Sequence, residues 1–311
     1  MTNQSDRAVT ARGKSTNSRM RPLAAGALLL LLLSACATSG ATPPAATAPQ
    51  PVSPETIATF ERAVEDGRYE DARLLLERLL LAQPDHPRAL LAMAEIRLAH
   101  KDLEAAGKSF GALTDRPEVA ARAQQGLGIA LLLQGRAMEA ETALRQAVAL
   151  DPTLWRAWNA LGSYHDRQGA WEPATESYDR ALALRPDSAI LHNNRGFSNL
   201  LRRHFEEAIA DFSAALRLDP NLVPARENLR LAFAWTGQYQ QALYGVPQFD
   251  IGRALNNVGF VALLRGDLAA AESYLLRSME VDPKFNRIAH KNLEYLKDLK
   301  AMKPVDAKEQ G

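Results

Sequence analysis

The chain has 311 residues, 37 of them basic and 36 acidic, for a formal net charge of +1. So even a balance, with no basic stripe and no aromatic–basic interleaving, argues against nucleic acid as a partner. One cysteine, Cys36, rules out a disulfide framework within the chain, and the six scattered histidines show no metal-ligand spacing.

Residues 1–36 read as a targeting segment rather than part of a fold. Arg19 and Arg21 precede an uncharged, leucine-rich run from Leu23 to Ala35. That run is too short for a permanent membrane span, which needs about 20 apolar residues. It ends Leu33-Ser34-Ala35-Cys36, which resembles the bacterial lipoprotein signal. The resemblance implies that Cys36 is acylated and becomes the mature N-terminus, with no cofactor beyond this covalent lipid. Ala37 follows where Asp would favour the inner membrane, so the resemblance implies lipid anchoring in the outer membrane, on its periplasmic face. An ordinary secretory signal, or an incidental or buried cysteine, is the alternative reading of Cys36. Met20 competes with Met1 as the start of translation. Residues 37–52, rich in Ala, Thr and Pro, have too little bulky apolar surface to fold and read as a disordered tether.

From residue 53 the chain is periodic. Ala72, Ala106, Ala140, Ala174, Ala208 and Ala242 stand 34 residues apart, and Ala271 follows after 29. Pro152, Pro186 and Pro220 keep the interval, with Pro84 and Pro283 in phase. Two glycine ladders agree, one through Gly128, Gly162, Gly196 and Gly259, the other through Gly67, Gly135, Gly169, Gly237 and Gly266. A fixed period of this length means an array of supersecondary units.

Within residues 153–186, Trp158, Leu161, Gly162 and His165 have helical spacing, Gly169 interrupts it, and Trp171, Ala174, Tyr178 and Ala181 resume it up to Pro186. Each unit is therefore two antiparallel helices. Glycine closes the first in the left-handed region, and proline stops the second while biasing Arg185 away from helical geometry. Gly162 and Ala174 are small where the helices would cross, which permits close approach. The pattern resembles the tetratricopeptide repeat. It implies an all-α superhelical solenoid of about seven repeats over residues 53–283. A capping helix over 284–301, with Phe285, Ala289, Leu293 and Leu296 on one side, would cover the last apolar face. Residues 302–311 read as a disordered tail. Repeats one, two and six depart from the pattern: Phe60 and Arg230 replace the glycine, Ala94 is a mild change, and repeat six loses most of its second helix at Leu243-Tyr244-Gly245-Val246-Pro247. Stacking there is expected to be loosened or bent. Arg195 and Arg203 stand where an aliphatic and a turn residue are usual, which puts the packing of repeat five in question.

No catalytic constellation is present in the sequence. His165 and Asp166 are adjacent and point apart on a helix. Gly126 and Gly128 lack the preceding strand and third glycine of a phosphate loop. The chain reads as a non-enzyme with no metal site and no small-molecule substrate. In this fold the first helices line the concave side. Their outward positions are Arg156, Asn159, Ser163, Asp166 and Arg167 in repeat four, then Asn193, Phe197, Leu200 and Leu201 in repeat five. Repeat six supplies Glu227, Leu231 and Trp235, and repeat seven Arg253, Asn256, Phe260, Leu263 and Leu264. The groove is polar early and apolar late. Asn159, Ser163, Asn193 and Asn256 are candidates for holding a peptide backbone, and Phe197, Leu201, Leu231, Trp235, Phe260 and Leu264 for anchoring it. The competing reading is that these apolar residues pack between helices and that Asn194 and Asn257 are structural. The charged second-helix faces at Glu206, Glu207 and Asp211 read as solvated.

The order of lipobox, tether, the segment Ala157–Gly169, the segment Leu191–Ser198, a truncated repeat and the segment Ala254–Ala262 is similar to the tetratricopeptide lipoproteins of tight-adherence (Tad) pilus systems. That resemblance implies a non-catalytic outer-membrane scaffold for assembly of a type IV-like pilus, with the secretin or other pilus components as protein partners. The alternative is a general envelope scaffold that docks peptidoglycan hydrolases or outer-membrane assembly factors.

Overall fold

A computed structural model describes residues 53–65, 67–281 and 286–302. Cys36, the segments 1–36 and 37–52, Pro283, Phe285 and the tail beyond Met302 lie outside the described residues. The helices, in chain order, are α1 (Pro54–Glu65), α2 (Tyr69–Ala82), α3 (Pro87–Ala99), α4 (Leu103–Gly111), α5 (Ala120–Leu133), α6 (Ala137–Leu150), α7 (Trp155–Gln168) and α8 (Trp171–Leu184). Then come α9 (Ala189–Leu201), α10 (Phe205–Leu218), α11 (Val223–Trp235), α12 (Tyr239–Leu243), a 3-10 turn at Gln248–Asp250, α13 (Ile251–Leu264), α14 (Leu268–Val281) and α15 (Asn286–Met302). The helices form seven successive pairs, and α15 closes the array.

Every odd-numbered helix touches the next odd-numbered one, from α1 against α3 through α13 against α15. Among the described residues no even-numbered helix packs on another even-numbered one. Rows of helices that touch on one side and are spread on the other place the first helices on the inner face of the array.

The pairs are held by a small residue facing a bulky one sixteen positions later. A Cβ added at Gly162 would lie 2.7 Å from the Tyr178 ring, and one at Gly196 would lie 2.9 Å from Phe212. Gly128 meets Leu144 at 2.5 Å and Gly259 meets Leu275 at 2.7 Å in the same way. Gly126 makes room for Phe110 of the preceding repeat. Both glycines of the faint phosphate-loop pattern are thus packing residues. The alanine ladder lies in the same seams, with Ala72, Ala106, Ala140, Ala174, Ala208, Ala242 and Ala271 all buried.

The turns keep one geometry whether or not a glycine is present. Gly169 closes α7 at φ 68°, in the left-handed region. At the same register Lys101 and Arg203 adopt φ 62° and 64°, a conformation that costs a side-chain-bearing residue about 1–2 kcal/mol. Repeat five nevertheless closes as its neighbours do, so Arg203 does not disturb it. Each second helix before a proline ends in an extended residue: Gln83, Asp151, Arg185 and Asp219 have φ between −143° and −135°. The carbonyls of those prolines are then used. Trp158 Nε1 donates to Pro152 O at 2.9 Å, His192 Nε2 to Pro186 O at 3.0 Å, and Arg226 to Pro220 O. One register position therefore ties three successive first helices back to their entry turns.

The atypical repeats have local reasons. Phe60 is fully buried in a cluster with Leu76 and Leu79, so repeat one is filled by a large residue rather than loosened. In repeat six α12 has only five residues, and Gly245 at φ 65° and Pro247 turn the chain away. The residue in register with Tyr178 and Phe212 is Val246, which lies outside any helix. Arg230 occupies the glycine register there, donating to Glu227 at 2.6 Å and to the carbonyl of Gly245 at 3.4 Å. At the far end Ala289, Leu293 and Leu296 of α15 are buried, with Leu275 in one cluster and with Leu263 and Ala271 in another. The expected cap is present.

A Gly162→Val substitution drives a branched side chain into the Tyr178 ring, which is buried and has its hydroxyl bonded to Asp166 at 2.9 Å. Overpacking of this kind costs about 1–3 kcal/mol. Urea unfolding followed by circular dichroism is expected to show a lowered midpoint. An unchanged midpoint would mean that α7 and α8 can separate freely.

Candidate functional site

The inner face of the first helices changes character along the array. In the early repeats it carries ion pairs between successive first helices, Arg88 with Glu61 and Arg122 with Glu95, the latter at 2.9 Å. Through the middle an amide ladder replaces them. Asn194 Nδ2 donates to Asn159 Oδ1 at 2.9 Å, Asn193 Nδ2 to Asn194 Oδ1 at 3.2 Å, and Asn228 Nδ2 to Asn193 Oδ1 at 3.1 Å. The link recurs at the end of the array, where Asn292 Nδ2 donates to Asn256 Oδ1 at 3.1 Å. Glu227 takes the asparagine register in repeat six and accepts from Arg253 at 3.2 Å. These amides therefore stitch neighbouring repeats. Asn159 and Asn193 remain partly exposed, while Asn256 is buried.

The apolar candidates divide in two. Phe197 and Leu201 on α9, and Phe260 and Leu264 on α13, are 41–50% exposed. Each pair is spaced four residues apart and shares one helix face. Leu231 and Trp235 hold the same two registers on α11 and are partly buried. The Trp235 ring stacks on Phe205 with centroids 5.5 Å apart, and the Arg203 guanidinium sits 5.7 Å from its centroid. Leu200 and Leu263, expected to face outward, are buried in the inter-helix packing. Ser163 holds the Phe197 register on α7 and is partly buried. Leu133 at the end of α5 shares the Leu201 register and is 56% exposed. The 34-residue spacing alone would have found it.

Shortening of α12 leaves a cavity of about 170 Å³ between α11 and α13. Leu231, Ala234, Ala242, Ala254 and Val258 supply its apolar lining, with Asn228, Asn257, Arg230, Arg253 and Glu227 around them. Apolar walls with a few polar groups suit the anchoring side chain of a peptide. The Asp250 carboxyl is held below its usual range chiefly by its hydrogen bond from Arg253, and that guanidinium is pushed up by the same bond. Arg253 on the rim donates to Asp250 at 2.8 Å and to Glu227 at 3.2 Å.

A polar network lies on the other side of α9. Asp211 is buried and accepts from Arg195 Nη2 at 2.7 Å, from Arg195 Nε at 3.0 Å and from Asn199 Nδ2 at 3.0 Å. His192 Nδ1 lies 3.5 Å away. Arg195 also reaches Asp179 at 2.8 Å, and its hydrogen bond to Asp211 is the main cause of its raised pKa. Asp211 is thus not a solvated surface charge, and Arg195 is the partner that makes its burial tolerable. Asp166, likewise placed outward from the sequence, accepts from Tyr178 Oη at 2.9 Å and Ser198 Oγ at 2.7 Å. His165 is buried, and that burial pushes its pKa down. Among the described residues no group of His, Cys, Asp or Glu is placed to hold a metal ion, and no helix is long and apolar enough to cross a membrane.

Comparison with known proteins bears on the array. The tetratricopeptide repeat family models match residues 63–128, 105–154, 126–189 and 159–223. An uncharacterized protein of Haemophilus influenzae is 31% identical over 144 residues, covering 44% of this chain and 79% of its own. Other curated relatives, from bacteria to mammals, are matched over 9–23% of their own length, so this chain spans only a small part of each. Among solved structures, the one titled "Crystal structure of APC/C hetero-tetramer Cut9-Hcn1" superposes with a TM-score of 0.59 at 19% identity, covering 77% of this chain and 48% of that one. It shares the fold. The crystal structure of PilW, titled a widely conserved type IV pilus biogenesis factor, has a TM-score of 0.42 at 24% identity, covering 52% of this chain and 77% of its own. A likeness that slight bears on neither fold nor function.

Removing the Asp211 carboxylate takes the acceptor from the buried Asn199 amide and leaves Arg195 with Asp179 alone. Asp211→Ala is expected to cost about 1–3 kcal/mol, as for a buried polar group left without its partner. Thermal unfolding by calorimetry checks this. A loss typical of a surface residue, below about 0.5 kcal/mol, would show that the network adds nothing to stability.

Proposed function

We propose that this chain, which belongs to the tetratricopeptide-repeat family, is a non-catalytic adaptor that captures a protein segment on the inner face of its late repeats. The observation that carries this reading is the exposure of Phe197, Leu201, Phe260 and Leu264 on one layer of helices, beside the cavity between α11 and α13. Large apolar side chains left in water on the inner face favour an occupant that covers them. Aromatic anchors next to a small apolar pocket are what dominant binding residues look like. The inter-repeat amides at Asn159 and Asn193 keep polar capacity beside that strip, which suits the backbone of an extended or helical segment.

The finer reading rests on the sequence resemblance to TadD, the lipoprotein of tight-adherence pili. In it Cys36 is acylated and fixes the protein to the inner leaflet of the outer membrane, residues 37–52 give reach, and the array positions the secretin or another pilus component. No step of this mechanism breaks or forms a bond in a partner. The lipid supplies location, and the repeats supply recognition.

Two experiments test it. Changing Cys36 to Ser is expected to release the protein from membranes or leave it unprocessed. Retention in the outer-membrane fraction after a salt and urea wash would contradict the anchor. In-cell crosslinking and pull-down under pilus-expressing conditions should recover a secretin or other pilus component. That recovery is expected to be lost when Phe197, Trp235 and Phe260 are replaced by alanine. Recovery of cell-wall hydrolases or porin-assembly proteins instead would favour the general envelope scaffold and sink the pilus reading.

A further inference from the structure

A second recognition feature lies on the early part of the array, away from the apolar strip. Where repeat three meets repeat four, Arg122, Gln125, Thr153, Trp155, Arg156 and Arg185 line a cleft of about 420 Å³. Three of these residues are arginines and none is acidic. Arg122 is steadied by Glu95 of α3, at 2.9 Å and outside the lining. Asp187 lies 3.5 Å from Arg185. Asp151 also borders the cleft, accepting from Thr153 N at 2.9 Å and from Thr153 Oγ1 at 2.6 Å. Carboxylates thus stand at the margins, but none is in the lining, and Arg156 has no carboxylate partner among the described residues.

Trp155 explains why the cleft is more than a charged patch. It begins α7 and packs against the cluster of Ala181, Leu182 and Leu191. Two guanidinium groups rest on its ring, Arg156 at 5.1 Å and Arg185 at 5.5 Å from the centroid. A guanidinium stacked on an aromatic face keeps its edge N–H groups free for a carboxylate. It also has fewer rotamers to lose when the carboxylate arrives, which lowers the ordering cost of binding. The cleft therefore presents one unpaired, pre-oriented fork at Arg156, a second at Arg185 that Asp187 holds only at 3.5 Å, and a third arginine, Arg122, already paired with Glu95.

We propose that this cleft binds carboxylate side chains of an acidic, extended segment of a partner protein. It needs no pilus and no apolar anchor, so it stands or falls separately from the function proposed above. Binding is expected to weaken as salt is added, because the contacts are exposed to solvent.

The test is fluorescence anisotropy with fluorescein-labelled octaglutamate and the full-length chain in neutral detergent. Octaglutamate is expected to bind at low salt, and octalysine not to. The double reversal Arg156→Glu with Arg185→Glu should weaken octaglutamate binding about tenfold or more, the equivalent of about 1.4 kcal/mol. A charge-matched control, Arg217→Glu with Arg287→Glu, changes exposed residues elsewhere and should leave binding as in the wild type. Circular dichroism confirms that both variants are folded. The proposal is overturned if octaglutamate fails to bind the wild type, or if the two double variants lose affinity equally. It is also overturned if vesicles containing anionic lipid bind at this cleft while the peptide does not.

Discussion

The array depends on one contact, the crossing of a glycine in the first helix with a bulky residue sixteen positions later in the second. Gly128 with Leu144, Gly162 with Tyr178, Gly196 with Phe212 and Gly259 with Leu275 leave no room for even a methyl group. The close approach brings the buried alanines of the second helices into the same seam. It also turns each pair into a flat unit that stacks on the next. Repeats one and two pack with Phe60 and Ala94 in the glycine register, but where the bulky partner leaves its helix the fold changes. In repeat six the bulky partner has moved into a loop, Arg230 has entered the glycine register, and a cavity opens between α11 and α13. The departure that marks repeat six in the sequence is thus also what opens this cavity.

Polar groups on the first helices serve both stacking and recognition. The asparagines that could hold a peptide also bond one another across repeats. A ligand on this face would meet amides already oriented by their neighbours, which favours binding by reducing what must be ordered. Asn256 illustrates the limit of this dual use, since it is buried and its carbonyl is taken by Asn292. Trp235 illustrates another, because its ring is stacked on Phe205 and braced by Arg203.

Much of the fold was legible because strict periodicity converts directly into helix pairs. The glycine and proline ladders marked the turns, and the loss of α12 was visible in Leu243-Tyr244-Gly245-Val246-Pro247. The inner face was harder to read. Helical spacing says which side of a helix a residue occupies, but not how deeply the next repeat covers it. Leu200 and Leu263 were therefore placed outward yet are buried, while Leu133 was overlooked and is exposed. Asp211 looked like an ordinary surface acid because its partners, Arg195 and Asn199, lie on the other helix of the pair. Phe60 shows the same limit at the helix crossing. A large residue in the glycine register looked disruptive, but it fills the core of the first repeat beside Leu76.

The central claim is that recognition occurs on the inner face of the late repeats. A photo-crosslinking amino acid placed at position 197 or 260, and at position 207 on an exposed second-helix face, tests it most directly in living cells. The account predicts discrete adducts of one partner from positions 197 and 260 and none from 207. Adducts from position 207 alone, or no adduct from either inner position, would contradict it.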